Sequence, residues 1–159
     1  MNLLSRRSVV AIGAVVDIAL HSRSSPVPAK VLTSRHRLSP RHLETLLPGL
    51  VHAKILKSVR GPRGGYELAR ERRKISLGEI VRSVVSLSSA DPDDVGAYSR
   101  LLEKVIDPSV REAGATFLAN LDSITVEDLS ERAEKARVFD DDDAMADLAT
   151  GNRDIGSSR

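Results

Sequence analysis

Residues 39–70 constrain the fold more tightly than any other part of this chain. Ser39-Pro40 stands ahead of Leu43, Leu46, Leu47 and Leu50, followed by a basic, apolar segment over residues 55–59. Gly61-Pro62-Arg63-Gly64-Gly65 comes next, and then Tyr66 to Ala69. A serine before a proline is a helix start: the hydroxyl can cap free amides, and proline is pre-set for the first turn. The four leucines fall on one face of that helix, leaving Arg41, His42, Glu44 and Thr45 on the other. The Gly/Pro-rich pentapeptide reads as a hairpin tip between two short strands.

The flanking segments extend this pattern. Residues 5–21 predict a first helix, with Val9, Ile12, Gly13, Val16, Ala19 and Leu20 at helical spacing on one face. Pro28 suits a first helical position, and a short second helix ends near residues 35–37. Ser76-x-x-Glu79 is a capping box that opens a helix to about Leu87. Residues 88–97 are polar and read as a linker. A longer helical segment covers residues 98–121, with Pro108 expected to break or kink it and to push Asp107 from the helical region. Thr125-x-x-Asp128 starts a last helix to about Arg137, and residues 138–159 form an acidic tail expected to be disordered. The fold class is therefore mainly α with a small β-hairpin, and residues 1–87 are a winged helix-turn-helix.

Charge narrows the function. Residues 1–74 hold 15 Lys/Arg against 4 Asp/Glu, whereas residues 75–159 hold 9 against 18. A basic half in a chain of net charge +2 points to a polyanion partner, since DNA releases counterions on binding it. The chain has no cysteine, which excludes disulfides, thiolate zinc sites, a cysteine nucleophile and cysteine-held iron–sulfur clusters. Arg6-Arg7 before an apolar run resembles a twin-arginine export signal, but Asp17 cuts the run short and no clear cleavage site follows. No segment is long enough to span a membrane, and a cytoplasmic location is expected.

Enzyme readings gain little. His21, His36, His42 and His52 have no metal-ligand spacing, there is no nucleophile elbow, and the glycine-rich turn lacks the Gly-Lys-Ser/Thr of a P-loop. Asp91, Asp93 and Asp94 match no calcium-loop spacing. Tyr66 reads as a packing residue.

Three short helices and a hairpin suit DNA binding in a defined way. The third helix enters the major groove and reads base edges near its N-terminus, where Ser39, Arg41, His42 and Glu44 stand. Arg60 and Arg63 project from a wing tip built on Gly61, Gly64 and Gly65, as a narrow minor groove attracts. Arg6, Arg7, Lys54, Lys57 and the basic run of residues 70–74 would contact phosphates.

Residues 3–87 resemble the Rrf2 family of bacterial winged-helix repressors. The resemblance is carried by Val15-Val16-Asp17-Ile18-Ala19-Leu20, Pro26-Val27-Pro28, Leu43-Glu44-x-Leu46-Leu47 and, above all, Lys57-Ser58-Val59-Arg60-Gly61-Pro62-Arg63-Gly64-Gly65-Tyr66-Glu67-Leu68-Ala69-Arg70. Residues 98–129 resemble the family's dimerisation helix more loosely. The resemblance implies a homodimer on a roughly palindromic operator of double-stranded DNA, with Leu101, Leu102, Val105, Phe117, Leu118 and Leu121 at the dimer contact. It also implies base reading by Ser39, Arg41 and Glu44, and a minor-groove position for Arg60.

Departures from the family pattern matter for mechanism. Sensor members hold an iron–sulfur cluster on three cysteines between the helix after the wing and the long helix. Here that place reads Ser88-Ser89-Ala90-Asp91-Pro92-Asp93-Asp94-Val95-Gly96, so no cofactor is expected. Arg37 stands where the turn usually has glycine, His42 replaces a tyrosine, and Pro48-Gly49 is expected to shorten or bend the third helix. Two alternatives accompany the repressor reading. One is a regulator acting chiefly through a bound partner protein or effector, and the other is a non-specific nucleoid-binding protein.

Overall fold

The computed structural model describes residues 4–88 and 100–139. The expected linker, the tail from Asp140 onward, and Asp91, Asp93 and Asp94 lie outside the described residues.

Helix α1 (Arg6–His21) opens on Ser5, whose Oγ accepts from the Ser8 amide at 3.1 Å. It is the spine of the fold, with α4, α6 and β2 all packed on it. Of the expected face, Val16 and Ala19 are buried and Ile12 and Leu20 pack on the core, but Val9 is 44% exposed, and the deepest residues are Ala11, Ala14, Val15 and Ile18. Hydropathy weighs valine above alanine and so places the centre of the buried face wrongly. Small alanines are what let neighbouring elements approach closely.

Helix α2 (Ala29–Arg35) takes Pro28 as its N-cap, one position earlier than expected. Helix α3 (Pro40–His52) has Leu43, Leu46, Leu47 and Leu50 essentially buried. Pro48 and Gly49 lie inside α3, and the helix continues past them, contrary to the expected early end. Proline removes one helical amide, but the buried leucines on either side hold the segment on the core. Between α2 and α3, Arg37 has φ +49°, a left-handed conformation in which a side chain is strained.

Strands β1 (Leu56–Val59) and β2 (Gly65–Leu68) pair antiparallel, with Leu56 opposite Leu68 and Val59 opposite Gly65. Gly61 turns the tip at φ +116°. Val27 and Tyr66 exchange two backbone hydrogen bonds, at 3.0 and 2.9 Å, which tie the wing to the chain ahead of α2. Gly65 makes that approach possible, because a Cβ there would collide with the Val27 carbonyl.

A 3-10 turn at Arg72–Lys74 leads to α4 (Leu77–Ser88). The capping box forms as expected: the Glu79 amide donates to Ser76 Oγ at 3.1 Å, and the Ser76 amide donates to Glu79 Oε2 at 3.0 Å. Residues 100–122 are helical throughout, through a wide π-type turn at Leu102–Ile106 and then α5 (Asp107–Asp122). Pro108 therefore breaks nothing, and Asp107 stays in the helix. The proline sits in the first turn of α5, and the π turn ahead of it absorbs the mismatch. Helix α6 (Val126–Ala136) starts on a Thr125/Asp128 capping box.

One core joins α1, α2, α3, β1 and α4, and Val126 of α6 is part of it. The chain before α6 returns to this unit: the Val126 amide donates to the Ile75 carbonyl, and the Leu77 amide to the Ile124 carbonyl, both at 2.9 Å. A smaller cluster of Leu77, Val81 and Leu121 joins α4 to α5. The order of three helices, hairpin and further helices is a winged helix-turn-helix, mainly α with a small hairpin.

Candidate nucleic-acid interface

Burial of its leucines fixes how α3 is turned. Ser39, Arg41, His42, Glu44 and Thr45 are all exposed on the opposite side. Ser39 stands at the N-cap, but its hydroxyl does not cap the helix. Instead Ser39 Oγ lies 2.8 Å from His42 Nδ1, so the two side chains form one polar unit at the start of α3. Thr45 Oγ1 donates to the His42 carbonyl at 3.1 Å.

The wing presents Arg60, Gly61, Pro62 and Arg63 to solvent. Neither arginine has an ion-pair partner among the described residues. Lys57 differs, since its Nζ lies 2.9 Å from Glu67 across the hairpin. Arg6 is exposed and Arg7 half-buried at the first turn of α1, and Lys54 is exposed with φ +57° just before the hairpin.

The basic run of residues 70–74 behaves differently from expectation. Arg70 donates to the Lys54 and Lys74 carbonyls at 3.2 and 3.1 Å and to Glu79 Oε1 at 3.0 Å. Arg72 pairs with Glu127 at 2.8 Å, while Arg73 and Lys74 both pair with Glu71, at 2.6 and 2.8 Å. Hydrogen bonds from Lys74 and Arg73 hold the Glu71 carboxyl below its ordinary range. Arg70 and Arg72 staple the wing's exit to α4 and α6, while Arg73 and Lys74 pair within their own segment. The partners of Arg72 on α6 lie more than fifty residues away, and no local pattern announces such a pair.

A second feature missed by the sequence reading lies beneath the helix-turn-helix. Asp17, treated there only as an interruption of an apolar run, is fully buried. Arg35 Nη1 donates to its Oδ1 at 2.8 Å, and His36 Nε2 lies 2.9 Å from its Oδ2. His21 Nδ1 is 2.8 Å from Oδ1 and 2.9 Å from the Asp17 carbonyl. Burial pushes the Asp17 carboxyl up, but the His36 hydrogen bond and the charges of Arg35, His21 and His36 together bring it below its ordinary value. The carboxylate thus ties α1 to α2 and to the turn that aims α3. The His21 contact follows helical i,i+4 spacing and was legible; the Arg35 and His36 contacts depend on the fold.

The residues expected at a dimer contact fall into two groups. Leu101 and Val105 are 61% and 53% exposed, and Ile106 and Val110 beside them are 44% and 63% exposed. Leu121 is buried within its own protomer, with Phe117 and Leu118 packed at the edge of the same cluster. The Leu102 side chain lies outside the described ones.

Known proteins place this architecture. The family model Rrf2, described as an iron-dependent transcriptional regulator, matches residues 4–132. The HTH-type transcriptional regulator IscR of Vibrio atlanticus (strain LGP32) is 31% identical over 153 residues, covering 94% of this chain and 86% of the relative. Its namesake in Xenorhabdus nematophila is 30% identical over 145 residues, covering 89% of this chain and 87% of the relative. Among solved structures, T. potens IscR superposes with a TM-score of 0.66 at 32% identity, covering 86% of this chain and 92% of that one. CymR (YrzC), the global cysteine regulator of B. subtilis, gives 0.61 at 27% identity, covering 83% and 98%.

Iron in the family description raises the question of a cluster. An iron–sulfur cluster is held chiefly by thiolates, and this chain has none. Among the described residues no group of three or more His, Asp or Glu is arranged to hold a metal ion. The donor set does not fit such a group. With a winged helix-turn-helix, an outward polar face on α3 and a family match over most of its length, the chain belongs to the Rrf2 family of DNA-binding transcriptional regulators.

Proposed function

We propose that this protein is a cytoplasmic, homodimeric repressor that binds a roughly palindromic operator without an iron–sulfur cluster. The observation that carries the reading is the division of α3: four leucines buried on one side and Ser39, Arg41, His42 and Glu44 exposed on the other. Arg41 is suited to bridge a guanine, Glu44 to accept from a cytosine amino group, and the Ser39–His42 pair to donate or accept at one base edge. Arg60 and Arg63 enter the adjacent minor groove from the wing, and Arg6, Arg7 and Lys54 hold phosphates. The exposed apolar row of Leu101, Val105, Ile106 and Val110 supports the homodimer, because such a row is stable in water only when covered. In this reading the dimer contact lies toward the start of the long helix, and Leu121 serves the protomer's own fold.

Fluorescence anisotropy tests this. The protein is titrated onto its own upstream DNA and onto a scrambled duplex across a salt series, with a preference of about 10³ or more expected for the native fragment. Arg41→Ala and Arg60→Ala should each cost about 1–3 kcal/mol on that fragment. Equal losses on both duplexes would demote these arginines to phosphate contacts.

A further inference from the structure

Between the first turn of α1 and the outward side of α3 lies a cavity of about 340 Å³. Val10, Leu38 and Leu46 form its apolar part, and Arg6, Arg7, His42 and Thr45 its polar part. Arg6 and Arg7 both line it, and the first turn of α1 holds no acidic residue to neutralise them. The Arg7 Nε is buried and has no hydrogen-bond partner among the described residues. A buried donor left unmade carries a desolvation penalty that a bound acceptor would relieve. The positive end of the α1 dipole adds to the same attraction for an anion.

A phosphate of the DNA backbone would use the two arginines and leave the apolar part unused. The combination of an apolar wall and a cationic rim is instead that of a small-molecule cleft, whose size range this cavity enters. We infer that the cavity binds a small monocarboxylate with an apolar body, the carboxylate meeting Arg6 and Arg7 and the body lying on Val10, Leu38 and Leu46. The rim includes His42 and Thr45, so an occupant sits against the exposed side of α3. It neutralises Arg6 and Arg7 and obstructs the approach of DNA to His42. The ligand is thus an inducer: it binds the free protein and lowers operator affinity. The second half of this inference rests on the reading of α3 as the groove-facing helix; the first half does not.

Octanoate is the probe, with octanol and inorganic phosphate as its two controls. Titration calorimetry and amide chemical-shift mapping are run on the full-length protein without DNA. Octanoate should bind and shift Val10, Leu38 and Leu46, while octanol and phosphate bind at least about tenfold more weakly, since each satisfies only one side of the site. Arg7→Gln should weaken octanoate by about tenfold. Val10→Phe, which fills the apolar part, should abolish octanoate binding while the DNA-binding anisotropy persists, and its thermal melt reports whether it folds. In the wild type, saturating octanoate should weaken operator binding by about tenfold or more relative to an equal concentration of chloride.

Phosphate binding as well as octanoate would make the cavity a plain seat for the DNA backbone and overturn the inference. So would octanoate shifts confined to residues elsewhere. Octanoate binding in the cavity without any loss of operator affinity would keep the site and remove its role as an inducer pocket. Failure of DNA binding itself, with octanoate still bound, would strike the reading of α3 and leave the pocket standing.

Discussion

The first helical unit and the long helix after it solve the problem of apolar surface in opposite ways. In α1 to α4 most of the leucines, valines and isoleucines are turned inward, and Leu32, Leu43, Leu50, Ile55 and Ile80 are almost wholly removed from water. Along Leu102–Ile106 and α5, comparable side chains at Val105, Ile106 and Val110 stay about half exposed. The difference teaches that the unit carrying the candidate DNA surface is complete within one chain. The long helix leaves an apolar row uncovered among the described residues, and the proposed homodimer would cover it.

The comparison breaks most visibly at Asp17. Asp17→Ala removes the buried carboxylate that Arg35, His36 and His21 share, which should cost about 3 kcal/mol in urea unfolding. An unchanged midpoint would mean that the carboxylate is not what holds α1 to α2. The same group sets an acid limit. Its folded-state value is depressed, so its contribution is fully present above the ordinary carboxylate value near 3.8 and is lost as pH falls through the folded value. Wild-type stability should therefore drop below about pH 4 more steeply than that of Asp17→Ala, as unfolding curves at stepped pH would show.

Gly65→Ala tests the closure of the wing. A methyl group there meets the Val27 carbonyl, which is pinned by its bond from Tyr66, so a loss of about 2 kcal/mol is expected in thermal melts. Val110→Asp probes the other side of the comparison. It should leave the protomer's stability within about 0.5 kcal/mol, yet shift sedimentation toward monomer. A dimer unaffected by that charge would move the interface off the exposed row. Arg37→Gly should give the smallest change, a gain of about 0.5 kcal/mol, because relief of the left-handed strain is partly offset by glycine's greater freedom in the unfolded chain.

What could be foreseen follows from the range of the interactions. The capping boxes at Ser76 and Thr125, the hairpin tip and the leucine face of α3 are local patterns, and each forms as expected. The buried face of α1 was foreseen only in part, at Val16 and Ala19, because the packing of three neighbours rewards small side chains such as Ala11 and Ala14, which hydropathy ranks low. Pro48 was expected to shorten or bend its helix and Pro108 to break or kink its segment; neither ends the helix, because burial around one and a π turn before the other outweigh those local rules. The solvent-facing positions on α3 were legible because the opposite face is so plainly apolar. The Asp17 cluster and the engagement of Arg70 and Arg72 were not, since their partners come together only through the fold.

The intramolecular pairing of basic residues also changes how this protein should respond to salt. Of the 15 Lys/Arg in residues 1–74, seven (Arg23, Arg35, Lys57, Arg70, Arg72, Arg73 and Lys74) face an acid among the described residues. An acid beside each of them offsets part of its attraction for phosphate, so these seven should displace fewer of the counterions condensed on a duplex than seven unpaired cations would. The slope of log affinity against log salt counts the cations that touch phosphate, at about 0.9 for each one. The basic half is in this sense a weaker polycation than its sequence suggests, and in the proposed complex more of the binding rests on the cations that face no acid among the described residues, Arg41 on α3 and Arg60 and Arg63 on the wing among them.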